Sequence, residues 1–127
     1  MKTIEETLLE IVPIPTTTYQ TKAMSTWILE NINKYTPEDC RFVINQDKYG
    51  NIYYTQTKGT DKVSKYPCMV CHIDTVHQIN HDVKAYIEND IIFAMDTKSM
   101  TQFGTGGDDK VGIAITLEMI QNFKNFK

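Results

Sequence analysis

Apolar positions in the first forty residues recur at helical spacing. Ile4, Leu8 and Ile11 lie four and three apart, which places them on one face of a helix. Thr3-Ile4-Glu5-Glu6 has the spacing of a capping box, with Thr3 bonding an orphan amide and Glu6 reaching back. Pro13 and Pro15 then stop the helix, because proline removes a donor and clashes with the preceding turn. The spacing predicts a second helix from Thr21 to about Tyr35, with Ala23, Trp27, Ile28 and Ile32 on one side and Pro37 beyond its end.

From Arg41 the period changes. RFVINQ and NIYYTQT read as strands joined through Asp47-Lys48-Tyr49-Gly50-Asn51, where the glycine supplies a turn with positive φ. After the polar stretch Lys58–Lys65, the run Tyr66–Ile73 is apolar almost throughout and does not alternate. Such a run suits a strand covered on both faces, as in a parallel or mixed sheet. Val83–Glu88 and Ile91–Met95 flank Asn89-Asp90, a short hairpin signal. A polar loop then leads to Gly104-Thr105-Gly106-Gly107-Asp108-Asp109-Lys110, and from Val111 a last helix carries Ile113, Leu117 and Ile120 on one face. This order predicts a three-layer α/β sandwich with a mixed central sheet.

Composition narrows the function classes. A chain of 127 residues is one domain's worth. Its net charge is −3 and its only arginine is Arg41, which argues against a nucleic-acid or anionic-membrane surface. No apolar run approaches the roughly 20 residues of a membrane span. The opening MKTIEETLLE carries acids in an amphipathic pattern and does not read as a secretory signal. A cytoplasmic protein with reduced cysteines is therefore expected.

Two segments offer chemistry. His72-Ile73-Asp74 falls at the end of the apolar run, where ligand sites in α/β sheets are expected. On extended backbone, residues two apart point the same way, so Asp74 can reach the imidazole and fix its second nitrogen, as carboxylates do for metal-bound histidines. A buried His–Asp pair that only satisfies itself fits the same residues. The second segment is Gly106–Lys110. An N-cap role, worth roughly 1 kcal/mol, accounts for Asp109 but not for two adjacent acids, and it leaves the Lys110 charge opposing the helix dipole. Paired acids beside glycines suit a divalent metal, whereas they would repel phosphate.

Cys68-Met69-Val70-Cys71-His72 also spells the c-type haem attachment pattern. That reading needs export, and it would bury both cysteines inside a strand. A thioredoxin-like pair should open a helix, and a zinc knuckle needs a second cysteine pair where Cys40 stands alone. Core packing is the expectation for all three cysteines. His77 and His81 are expected in exposed loops, not as ligands.

With these motifs in order, the chain resembles the N-terminal part of the M-twenty family of metallopeptidases, the group of tripeptidase T, carboxypeptidase G and the aminoacylases. Leu8–Thr16 (LLEIVPIPT) resembles the family's opening helix and its Ile-Pro-Ser/Thr corner, and Asp47–Ile52 (DKYGNI) its Asp-x-x-Gly-Asn-aliphatic strand entry. His72–Val76 (HIDTV) and Gly107–Gly112 (GDDKVG) match its two metal motifs, and these two are the specific ones. The match is collinear over essentially the whole chain. The resemblance implies a zinc-peptidase fold, with His72 ligating one zinc, Asp74 tuning His72, and Asp108 bridging two zinc ions across a cis Asp108–Asp109 peptide. Gly107, Asp109 and Lys110 would support them, and the substrates would be small peptides or acyl-amino acids.

The family pattern also requires a Glu-Glu pair, a further acidic ligand and a late histidine after the Asp-Asp-Lys helix, together with a small lid or dimerisation domain. None of these follows within the 127 residues. The resemblance thus implies a partial catalytic domain, inactive alone, that awaits a complementing C-terminal chain or a homodimer partner. A truncated, non-catalytic relative serving metal capture or assembly is the competing expectation.

Overall fold

The computed structural model describes residues 1–59, 65, 67–76, 78, 79 and 82–123. The elements run α1 (Ile4–Ile11), α2 (Lys22–Asn31) with a 3-10 turn (Ile32–Lys34), β1 (Cys40–Gln46), β2 (Ile52–Lys58), β3 (Val83–Glu88), β4 (Ile91–Asp96), β5 (Gln102–Phe103) and α3 (Gly107–Asn122). The capping box forms as expected: Glu6 N donates to Thr3 Oγ1 and Thr3 N donates to the Glu6 carboxylate. The second helix tightens into the 3-10 turn, and its buried face differs from the expected one. Met24, Ile28 and Ile32 face the core at i, i+4 spacing, while Ala23 is exposed.

Both hairpins form. β1 pairs antiparallel with β2 through a turn in which Gly50 has φ +89°, and β3 pairs with β4 through Asn89 and Asp90, both with positive φ. The short β5 adds to β4.

The architecture is mixed α/β with two small antiparallel sheets, β1-β2 and β3-β4-β5. Among the described residues there is no mixed central sheet; the parallel element is one bridge between Thr17 and Thr75. The segment from Pro67 to Asp74 forms no ladder, contrary to the expected doubly covered strand; Tyr66, at its start, lies outside the described residues. Its side chains alternate instead. Met69, Cys71 and Ile73 pack on the main core, while Val70 is 89% exposed and Cys68 lies in solvent. An apolar run reads the same whether one face or both are covered, and here only one is. The expectation of three core cysteines is corrected accordingly, since Cys40 and Cys71 are half-buried and Cys68 is exposed.

The main core joins α1, α2, β2 and α3 through Leu8, Ile11, Met24, Ile28, Tyr54, Ile113, Leu117 and Ile120. A second cluster of Val12, Ile79, Val83 and Ala94 seats the β3-β4-β5 sheet. Buried polar groups inside these clusters are partnered. Thr7 Oγ1 meets Tyr35 Oη at 2.9 Å, and Gln56 Nε2 donates to the Ile120 and Phe123 carbonyls at the end of α3. No helix among the described residues is long and apolar enough to cross a membrane.

Candidate metal centre

Two chain segments meet at the head of α3. The extended run ends in His72-Ile73-Asp74, and Thr75 N then donates to Thr16 O at 2.7 Å. The Thr16 and Thr75 hydroxyls, both buried, meet at 2.7 Å. This clamp fixes the end of the run against the strap that follows α1. Opposite it, Gly106 turns the chain in the left-handed region (φ +64°), and a Cβ there would press on Thr75 Cγ2 at 2.9 Å. Gly107, expected to share that role, has ordinary space around it. The Asp108–Asp109 peptide is cis, and regular helical geometry begins only at Lys110.

Asp109 is the effective helix cap. One carboxylate oxygen accepts from Gly112 N at 3.0 Å, and the other accepts from His72 N at 3.3 Å. The same side chain thereby caps the start of the helix and ties it to the extended run. Gly112 allows this, because a Cβ at that position would overlap the Asp109 carboxylate.

Lys110 is fully buried, and its Nζ donates to Val12 O and Ile14 O, each at 2.7 Å. Its charge opposes the dipole of its own helix. It sits, however, on carbonyls at the C-terminal end of α1, where a cation is favoured. Burial pulls the ammonium pKa down to about 8.

His72 and Asp108 are 36 positions apart in the chain, yet His72 Nε2 lies 2.8 Å from Asp108 Oδ1. The other ring nitrogen, Nδ1, lies 3.0 Å from Asp74 O and 3.3 Å from Asp74 Oδ1. Thr18 Oγ1 donates to the second oxygen of that carboxylate at 2.9 Å. The hydrogen bond to Asp108 raises the His72 pKa above the ordinary imidazole value, with the Asp74 carbonyl adding to it. The Thr18 hydroxyl, then the backbone amide of Asp74 itself and the nearby imidazole, lower the Asp74 pKa. The Asp108 side chain is 94% exposed, so the pair opens outward.

The donor set suits a zinc ion. A neutral imidazole with its second nitrogen held by an acceptor, facing a carboxylate, is the usual pairing of N and O ligands. Two such donors on a tetrahedral centre stand ~3.4 Å apart, so the His72–Asp108 pair, in direct contact at 2.8 Å, would open by ~0.6 Å to admit the ion. Among the described residues no three histidine, cysteine or acidic side chains are placed to hold one metal ion together. The site-residue expectations thus divide. His72, Asp74, Asp108 and Asp109 come together, Lys110 acts from behind through the strap, and His77 and His81 lie outside the described residues. Thr18, Thr16 and Thr75 were not legible as site residues, since their partners are more than fifty positions away. A groove of about 990 Å³ is lined by His72 and Asp74 and floored by apolar side chains such as Ile28, Met69 and Leu117.

No family model matches the sequence, and neither the curated proteins nor the solved structures yield a significant match.

Proposed function

We propose that the chain is the N-terminal portion of the catalytic domain of a dinuclear-zinc peptidase or amidohydrolase that acts on small peptides or acyl-amino acids. The observation that carries this reading is the meeting of His72 Nε2 and Asp108 Oδ1 at 2.8 Å. The outer ring nitrogen is already held by Asp74, and the pair faces solvent. A purely structural His–carboxylate pair has no need of exposure or of a third group fixing the ring.

In this reading His72 and Asp108 would hold metal, Asp108 serving both ions, and Asp74 would keep the His72 ring in register. Bound zinc supplies acidification of a water and polarisation of the substrate carbonyl. Asp109 holds the two ligand-bearing segments together, and Lys110 anchors the helix head. The general base and the remaining ligands are assigned to further polypeptide, either a continuation of this chain or a complementing chain. With that addition the 67–74 run would become a strand of the central mixed sheet of a three-layer sandwich. The reading also places the protein in the cytoplasm, where Cys68 stays reduced.

The test is zinc-dependent hydrolysis of di- and tripeptides and of acyl-amino acids, by the 127-residue chain alone and together with any polypeptide its coding sequence continues into. The reading expects no turnover from the chain alone, turnover from the combination, and its loss in Asp108→Ala. Turnover by the chain alone contradicts the assignment of the base elsewhere. Zinc bound without turnover in either form supports the non-catalytic relative instead.

A further inference from the structure

We infer that Thr18 is a positioning residue for the His72–Asp108 pair, acting through the Asp74 carboxylate; its consequence for metal binding rests on the zinc reading above. Asp74 lies on an extended segment without a ladder, and its side chain is 41% exposed. A carboxylate whose Oδ1 stands 3.3 Å from one ring nitrogen has little to stop it turning into water. Thr18 supplies the second anchor by donating to the other oxygen, Oδ2, at 2.9 Å. With both oxygens engaged, rotation about the Asp74 side-chain bonds is restricted and Oδ1 stays 3.3 Å from His72 Nδ1, beside the Asp74 carbonyl oxygen that lies nearer at 3.0 Å.

The Thr18 hydroxyl is exposed, so its hydrogen bond competes with water and is weak as an energy term. Its importance lies in placement. The strap from Val12 to Thr18 is held at three points on its way to the site. The Val12 and Ile14 carbonyls accept from Lys110, Thr16 is clamped to Thr75 in the interior, and Thr17 bridges Thr75. Beyond Thr18, Tyr19 turns in the left-handed region (φ +66°) and Gln20 N closes on Thr17 O at 2.7 Å. The backbone carrying Thr18 is therefore fixed on both sides before the hydroxyl reaches Asp74. Little further ordering is needed to make the contact.

The experiment compares Thr18→Val, which keeps the shape and loses the hydroxyl, with Thr18→Ser, which keeps the hydroxyl. Two readouts are taken on the full chain. Without metal, three-bond NMR couplings of Asp74 report its side-chain rotamer. The expected result is one rotamer in the wild type and Thr18→Ser, and averaging in Thr18→Val, while the Thr16 and Thr75 amide shifts stay in place. With zinc chloride as the probe, Thr18→Val should bind about 10-fold more weakly, the low end of the cost of losing an outer partner, and Thr18→Ser within about twofold of wild type. A single Asp74 rotamer in Thr18→Val overturns the inference, even where His72→Ala abolishes zinc binding. Unchanged zinc binding in His72→Ala defeats the zinc reading instead, and the rotamer readout still decides whether Thr18 holds Asp74.

Discussion

The ammonium of Lys110 lies 2.7 Å from the carbonyl oxygen of Val12, across 98 positions of sequence. This contact, with its twin on Ile14 O, fastens the head of α3 to the strap that follows α1. Lys110→Met removes both hydrogen bonds and leaves two carbonyls unpaired. Against that loss stands the removal of a buried charge. The expected net effect is a destabilisation of roughly 1–3 kcal/mol at pH 7 in urea unfolding.

The same lysine has a pH signature. Its pKa is depressed to about 8 in the fold by burial, against an ordinary value of 10.5. Between those values the unfolded chain binds more protons, so this group makes stability rise with pH. The gain is absent below about pH 8 and complete above 10.5, and it amounts to at most about 3 kcal/mol. The two carbonyls favour the ammonium and reduce it. Unfolding free energies of wild type and Lys110→Met between pH 7 and 10.5 should therefore diverge, with the wild type gaining. Parallel curves would show that the lysine is not desolvated.

Gly112→Ala tests the close approach beneath the site. The new methyl would occupy the place of the Asp109 carboxylate, which accepts from both Gly112 N and His72 N. Loss of this cap should cost about 1–2 kcal/mol. The His72 amide should also exchange faster with solvent deuterium in the variant. Wild-type exchange at His72 in Gly112→Ala would mean that Asp109 is not its partner.

Thiol labelling tests the facing of the extended run. Cys68 is exposed, whereas Cys71 is half-buried against Thr116, and burial raises its thiol pKa. Iodoacetamide at pH 8 should modify Cys68 at least about 10-fold faster than Cys71 in the folded chain. Peptide mass spectrometry over a time course measures the ratio. Equal rates would contradict the one-sided packing of the segment.

Local features were legible from the sequence where local chemistry decides them. The capping box at Thr3 and Glu6, the glycine turn at Gly50 and the Asn89-Asp90 hairpin turn each depend on residues within a few positions. What depends on distant partners was less legible. The choice of Met24 over Ala23 as a core residue is set by what packs against α2. The run ending at Ile73 has the composition of a strand covered on both faces, because apolar composition carries no record of which face is covered. His72, Asp74 and Asp108 stood out as metal-type residues, and the fold brings them together. Thr18 and the Thr16–Thr75 clamp did not, since a threonine carries no mark of a partner 56 or 59 positions away. On its own helix Lys110 is misplaced, and only the carbonyls at the end of α1 account for it.

The central claim is that His72 and Asp108 hold a metal ion together. Calorimetric titration of the purified, chelator-treated chain with zinc chloride at pH 7.5 tests it most directly, with His72→Ala and Asp108→Ala alongside and circular dichroism to verify folding. The account predicts saturable binding by the wild type and a loss of at least about 10-fold in affinity in each variant. Zinc affinity unchanged in either folded variant, or no saturable binding by the wild type, would contradict it.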